Sequence, residues 1–343
     1  MADVAKMAVI GLGIWGQNHA LTYHEYHRSK LVCVCDVDED RAKEYAQRYG
    51  CDFTTDYNQL ASADVDAVSV ATPDPFHHAP ALAMLKAGKH VLIEKPMTTN
   101  VEEARDLVAA ARTSGVKSMV DFQLRWNPSY MVIKDEIEAG NIGKPVMGYI
   151  RLSDAIQVAT GWLSWAGKSG PHWFLFPHTM DMMRWLIDEE PIEVYAIGRK
   201  GVLVEKGVDT YDAVQALVRF EQAFVTFETS WIVPDTSPSV TDCEMALYGT
   251  SGRILFDQDF AGLEIATDRY FYPWVPVGRR DRYGKLSSFI YEPIKYFVDC
   301  VLDDKQPSAT LEDGLVNTIM IASTMRSVEE KRPVAIEIPP LNK

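Results

Sequence analysis

The 343-residue sequence predicts a two-part α/β protein: an N-terminal doubly wound parallel sheet over residues 1–123, then an open, mainly antiparallel α+β domain over residues 124–343. Three observations carry this. An apolar run, "VAKMAVI" (4–10), stops at a glycine-rich turn, "GLGIWG" (11–16). Strand-like and helix-like stretches then alternate as far as "KSMVDFQ" (117–123), the pattern of a parallel sheet with helical crossovers. From about residue 146 the runs take period two, as half-solvated antiparallel strands do. Two domains also suit the length, which exceeds what one hydrophobic core usually serves.

The first strand, turn and following helix define a chemistry. Gly11 permits the tight turn, Gly13 lets backbone reach a pyrophosphate, and Gly16 lets helix and strand pack closely. Ile14 and Trp15 lie between them at the positive end of the helix, which favours phosphate. The next strand, "KLVCVCD", ends in Asp36 at the distance where an acid accepts from the adenosine ribose 2'-hydroxyl. This is a Rossmann-type dinucleotide site. Asp36 repels a 2'-phosphate and Val37, Asp38 and Glu39 supply no cation, so NAD is favoured; Arg41 keeps NADP as the alternative.

The alternation continues through a helix at 38–50, a strand "DAVSVATP" (66–73), a helix at 77–88, a strand "KHVLIEKP" (89–96) and a helix at 100–115. Ligands of such sheets bind beyond the carboxyl ends of the strands. There the sequence places Thr72, Pro73 and His77, then Glu94 and Lys95, then Arg125. Lys95 follows four mostly apolar residues, which argues against an ordinary solvated ion pair with Glu94.

In the second half, "AFVTFETSWI" (223–232) turns Val225, Phe227, Thr229 and Trp231 one way and Thr226, Glu228 and Ser230 the other. A single long helix at about 173–187 is expected to cover one sheet face. The face left open predicts burial against another subunit, hence a homo-oligomer. The stretch "YFYPWVPVGRRDRYG" (270–284) reads as a surface loop, with subunit contact or substrate gating as alternatives.

Composition narrows the partners. A net charge of -14 disfavours nucleic acid and anionic membranes, leaving small molecules. Five scattered cysteines without zinc spacing suit a reducing cytoplasm, and "MAVIGLGIWG" is too short for a membrane span and lacks a signal peptide's flanks. No metal is expected, because the eight histidines form no HExxH-type spacing.

At "GLGIWG", "ATPDPFHH", "AGKHVLIEKP" and "QLRWNPSY", with later echoes in "NIGKPV", "HTMDMMRWL", "YGTSGRI" and "FVDCVLDDKQPSATLEDGL", the chain resembles the glucose-fructose oxidoreductase, inositol dehydrogenase and rhizopine-catabolism (Gfo/Idh/MocA) family. The resemblance implies an NAD(P) Rossmann domain and a substrate domain that often builds dimers or tetramers. It also implies a lysine near nicotinamide and substrate hydroxyl at Lys95, a cis bond before Pro96, and a site histidine and aspartate at His178 and Asp181. The aspartate that family members place four residues before the histidine is Phe174 here, and a glycine two before it is Phe176.

Oxidising a secondary alcohol needs a base for the hydroxyl proton, and histidine serves near neutral pH. The expectation is His178 as acid/base and Lys95 as alkoxide stabiliser or co-base, with the roles exchangeable. Arg125, Trp165, His172, Phe174 and Asp181 are further substrate-binding candidates, the substrate being a sugar, cyclitol or sugar acid. The activity expected is NAD(P)-dependent hydride transfer at a CH–OH group. The alternatives are NAD-dependent glycoside cleavage on the same fold and a non-catalytic NAD or sugar sensor.

Overall fold

The computed structural model describes residues 4–257, 265–266, 270–271, 279–280 and 283–341. Contacts divide it into two compact units, Met1–Trp126 with Val277–Thr318 and Asn127–Pro276 with Ile319–Lys343. The return of 277–318 to the first unit is absent from the two consecutive blocks expected above. Most of "YFYPWVPVGRRDRYG" lies outside the described residues.

The first unit holds six parallel strands: β1 (Ala5–Ile10), β2 (Ser29–Cys35), β3 (Asp52–Thr54), β4 (Ala67–Val70), β5 (His90–Glu94) and β6 (Ser118–Asp121). Their order is β3-β2-β1-β4-β5-β6, so the topological switch falls between β1 and β4. The helices are α1 (Ile14–Glu25), α2 (Glu39–Tyr49), α3 (Asn58–Ser62), α4 (His78–Lys86) and α5 (Val101–Ser114). Capping explains several boundaries. Asp38 accepts from the Arg41 amide at the start of α2, Asn100 accepts from the Glu102 and Glu103 amides at the start of α5, and left-handed Gly50 and Gly115 end both helices. Strands β1 and β4 are almost wholly buried, as parallel strands covered on both faces must be.

The second unit begins with α6 (Pro128–Glu138) and β7 (Pro145–Asp154). Then follow α7 (Pro171–Phe174), α8 (Phe176–Ile187), β8 (Glu193–Arg199), α9 (Val202–Glu205), β9 (Ala213–Arg219), β10 (Phe224–Ser230), β11 (Thr241–Gly249) and β12 (Arg253–Asp257). The sheet order is β12-β11-β7-β10-β9-β8 and then Val334–Ala335; only β7 and β10 pair in parallel. Val225, Phe227, Thr229 and Trp231 are all 0% exposed, as their alternation predicts. Trp231 belongs to an apolar cluster with Leu152, Leu175 and Leu203.

The expectation of one long helix at 173–187 is corrected twice. The segment is broken at Leu175, because Pro177 has no N–H to offer the turn before it and its ring crowds that turn's carbonyl. Further helices are α6, α10 (Glu292–Leu302) and α11 (Leu311–Glu330), of which α10 packs on α1, β1, β5 and β6.

Candidate active site

Each glycine of the first turn is needed for a different reason. Gly11 has φ +90° and a Cβ on it would lie 2.6 Å from the Ala71 carbonyl oxygen, next to the switch point. A Cβ on Gly16 would meet the Gly11 carbonyl oxygen at 1.8 Å, so strand and helix close only over a hydrogen. A Cβ on Gly13 would meet nothing within 4 Å. Gly13 is also the N-cap of α1 and makes no side-chain cap. The amides of the first helical turn therefore face an open cradle, which suits a pyrophosphate. Exposed Ile14 and half-buried Trp15 flank it.

Asp36, 6% exposed, stands at the end of β2. Its Oδ2 accepts from the Leu12 amide at 2.7 Å and its Oδ1 from the Asp38 amide at 2.9 Å. The carboxylate thus clamps the glycine turn, and a carboxylate has about four lone-pair sites, which leaves acceptors for ribose hydroxyls. Arg41, the residue that kept NADP open, pairs with Asp36 at 3.3 Å and with Asp38 at 3.1 Å. Its charge is already offset. The residues present fit a bound NAD.

The turns after β4 and β5 are tied together. His77 is fully buried, with Nδ1 2.7 Å from the Pro96 carbonyl oxygen and Nε2 2.6 Å from that of Thr72. Burial pushes this imidazole below its ordinary value, while the two carbonyls pull the other way. Thr72 donates its hydroxyl to the Phe76 carbonyl and Pro73 precedes the short turn Asp74–Phe76. The Lys95–Pro96 bond is cis, as the resemblance implied. Lys95 and Glu94 are 3% and 4% exposed, so neither is a solvated surface charge.

Glu94 faces inward. Its Oε1 lies 3.0 Å from His19 Nε2, and its Oε2 accepts from the Lys95 amide at 3.1 Å. His19, Tyr23, Ser69 and Asp121 complete this network, and none of the four is evident in the sequence as a site residue. The one available signal is the acid that closes the apolar strand "SMVD". Arg125 donates to the Ser308 carbonyl at 3.0 Å and reaches Asp313 at 3.4 Å, binding the turn after β6 to the segment that returns.

In the second unit, His178 and Asp181 sit one turn apart on α8, 8% and 2% exposed. Phe174, across the break, does not share their helix. It packs on Trp165 (centroids 6.0 Å apart) and Trp231 (5.6 Å), so the family's carboxylate position is taken by an aromatic stack on the apolar cluster. Trp165 and Lys168 line a recess with Leu163, Gly207 and Val208. His172 is buried, edge-on to Tyr211 at 5.6 Å, and burial with nearby Lys200 pushes it down to about 3, so it stays neutral.

Residues 5–122 match the family described as "Oxidoreductase family, NAD-binding Rossmann fold", and residues 130–255 match the "GFO/IDH/MocA C-terminal domain". The chain is 27% identical to a myo-inositol 2-dehydrogenase of Thermotoga maritima, covering 97% of this chain and 98% of that protein. It is likewise 27% identical to the scyllo-inositol 2-dehydrogenase (NAD(+)) of Bacillus subtilis, covering 98% of each. A crystal structure of a probable dehydrogenase from Thermotoga maritima superposes with a TM-score of 0.81 at 26% identity, covering 96% of this chain and 98% of that one. No helix among the described residues is long and apolar enough to cross a membrane.

Proposed function

We infer, from the premise that this chain belongs to the GFO/IDH/MocA family of NAD-dependent oxidoreductases, that it interconverts a ring secondary alcohol of a cyclitol and the corresponding ketone. One observation carries the cofactor half of this reading: a side-chain-free helix terminus at Gly13, backed by Asp36, with Lys95 buried at the end of β5 in the same sheet. The inositol dehydrogenases among the relatives support the substrate class. Phe174 adds a refinement, since an apolar group in place of a carboxylate removes a negative charge and favours a substrate with an exposed C–H face.

When bound, NAD supplies the hydride acceptor. The protein's residues handle the proton. His178 takes it from the substrate hydroxyl, and the Lys95 ammonium donates to the oxygen as alkoxide character develops. Lys95→Met and His178→Ala are each expected to lower kcat by about 10²-fold or more while changing the Kd for NAD less than about threefold. Stopped turnover assays with inositols, beside fluorescence titration of NAD, measure both; unchanged turnover in both variants removes the assignment.

The protein acts in the cytoplasm as a homo-oligomer. Five free thiols support the compartment. The open sheet face supports the assembly, because strand register lines up Tyr195, Leu217, Thr226, Tyr149, Ala246 and Leu255 as one stripe across it. Leu217 is 45% and Leu255 61% exposed, a face that a second copy would cover.

A further inference from the structure

Tyr23, Ser69, His19 and Glu94 form a hydrogen-bonded chain inside the first unit. Tyr23 Oη lies 2.5 Å from Ser69 Oγ, which lies 2.9 Å from His19 Nδ1; His19 Nε2 lies 3.0 Å from Glu94 Oε1. With Glu94 a carboxylate and His19 a neutral imidazole, one assignment of hydrogens fits. Tyr23 donates to Ser69, Ser69 donates to Nδ1, and the Nε2 hydrogen goes to Glu94. The ring then has no other hydrogen to give.

Asp121 meets the same nitrogen. Its Oδ2 is 3.5 Å from His19 Nε2, its Oδ1 has no hydrogen-bond partner, and the residue is 1% exposed. Ionised, it would be a second buried anion beside Glu94, with one oxygen that meets no donor, which is costly. Two carboxylates that compete for one N–H in a dry interior retain one additional proton.

We propose that Asp121 is a positioning residue for Lys95: it carries that proton as a carboxylic acid at neutral pH and so keeps a second negative charge from competing for the Lys95 ammonium. The catalytic half of this rests on the role given to Lys95 above; the protonation half does not. The groups facing Asp121 are Glu94 and Lys95 at the end of β5 and His19 and Tyr23 from α1. Burial and Glu94 hold its proton on, and Lys95 opposes them. The ligand atoms of His19, Glu94 and Asp121 also lie within 4.8 Å of one another, a spacing a divalent cation could use. The geometry points to the proton, because His19 and Glu94 are already at hydrogen-bond distance and a second cation next to the Lys95 ammonium would be repelled.

Infrared spectroscopy of the whole protein tests the protonation. The wild type at neutral pH should show the carbonyl stretch of a buried protonated carboxyl. Asp121→Asn should remove it, and so should Glu94→Gln, which leaves Asp121 as sole acceptor for the imidazole N–H. No such band in the wild type, a band that survives in Asp121→Asn, or a stoichiometric divalent metal in the purified wild type that Asp121→Asn loses would each overturn it. The kcat–pH profile tests the positioning. Wild-type kcat should fall at least about threefold on the alkaline side as Asp121 ionises, and Asp121→Asn should lack that limb. Superimposable profiles overturn the positioning role. Full turnover in Lys95→Met would instead sink the catalytic assignment and leave the infrared result standing.

Discussion

A methyl group placed on Gly13 touches no protein atom within 4 Å, while one on Gly11 collides with the Ala71 carbonyl in a left-handed backbone. The two glycines should therefore fail differently. Gly13→Ala is expected to leave stability within about 0.5 kcal/mol and raise the Kd for NAD about tenfold or more, whereas Gly11→Ala should cost about 2 kcal/mol of stability before affinity is considered. Urea unfolding and NAD titration of both variants measure this, and equal stability loss in the two would refute the distinction. These positions are legible in the sequence because the reason for each is local: a turn, a close approach, a helix start. Asp36 is legible for the same reason. Asp121 is not, since a strand-ending acid looks alike whether it meets water or, as here, a buried imidazole brought by α1. Phe174 was visible as a departure from the family's pattern, but its packing partner Trp231 comes from a strand far along the chain.

Strands and helices with one strong periodicity could be read directly: β10 buries the residues its alternation assigns to the interior. Short elements such as β3 and α3 carry too few residues for a pattern, and the break between α7 and α8 depends on what one proline does to the turn before it. The sheet's other face leads to a test at this scale. Replacing Leu217 on β9 and Leu255 on β12 by Asp puts charges into the stripe that a second copy is proposed to cover. Sedimentation at micromolar concentration should show an oligomer for the wild type and a shift toward monomer for the double variant. A wild type that sediments as monomer would exclude the assembly.

For the whole molecule, two buried imidazoles couple folding to acid. His172 is pushed down to about 3 and His77 is lowered as well, in both cases chiefly by burial. His172 stays neutral while folded and takes a proton once unfolded, so its share of the stability is intact above about pH 6.5 and is lost as pH falls toward 3, and the lowered His77 acts in the same direction. At pH 5 His172 alone should account for about 2 kcal/mol. His172→Gln should flatten the slope of unfolding free energy between pH 6.5 and 5 by close to one proton, as followed by urea denaturation; an unchanged slope would show that His172 titrates freely in the native state.

The return of 277–318 to the first unit also governs how the chain can be assembled. Arg28 pairs with Asp299 and Asp303, Lys117 with Asp304, Arg112 with Glu312 and Arg125 with Asp313, all within that unit. A nascent polypeptide that has left the ribosome only as far as Trp126 lacks every one of these acidic counterparts and the helix that seals β1, β5 and β6. A gene cut between the motif-bearing N-terminus and the rest is therefore expected to yield a half-built receptor rather than a portable cassette, and urea unfolding of a 1–126 fragment beside the whole protein would check it.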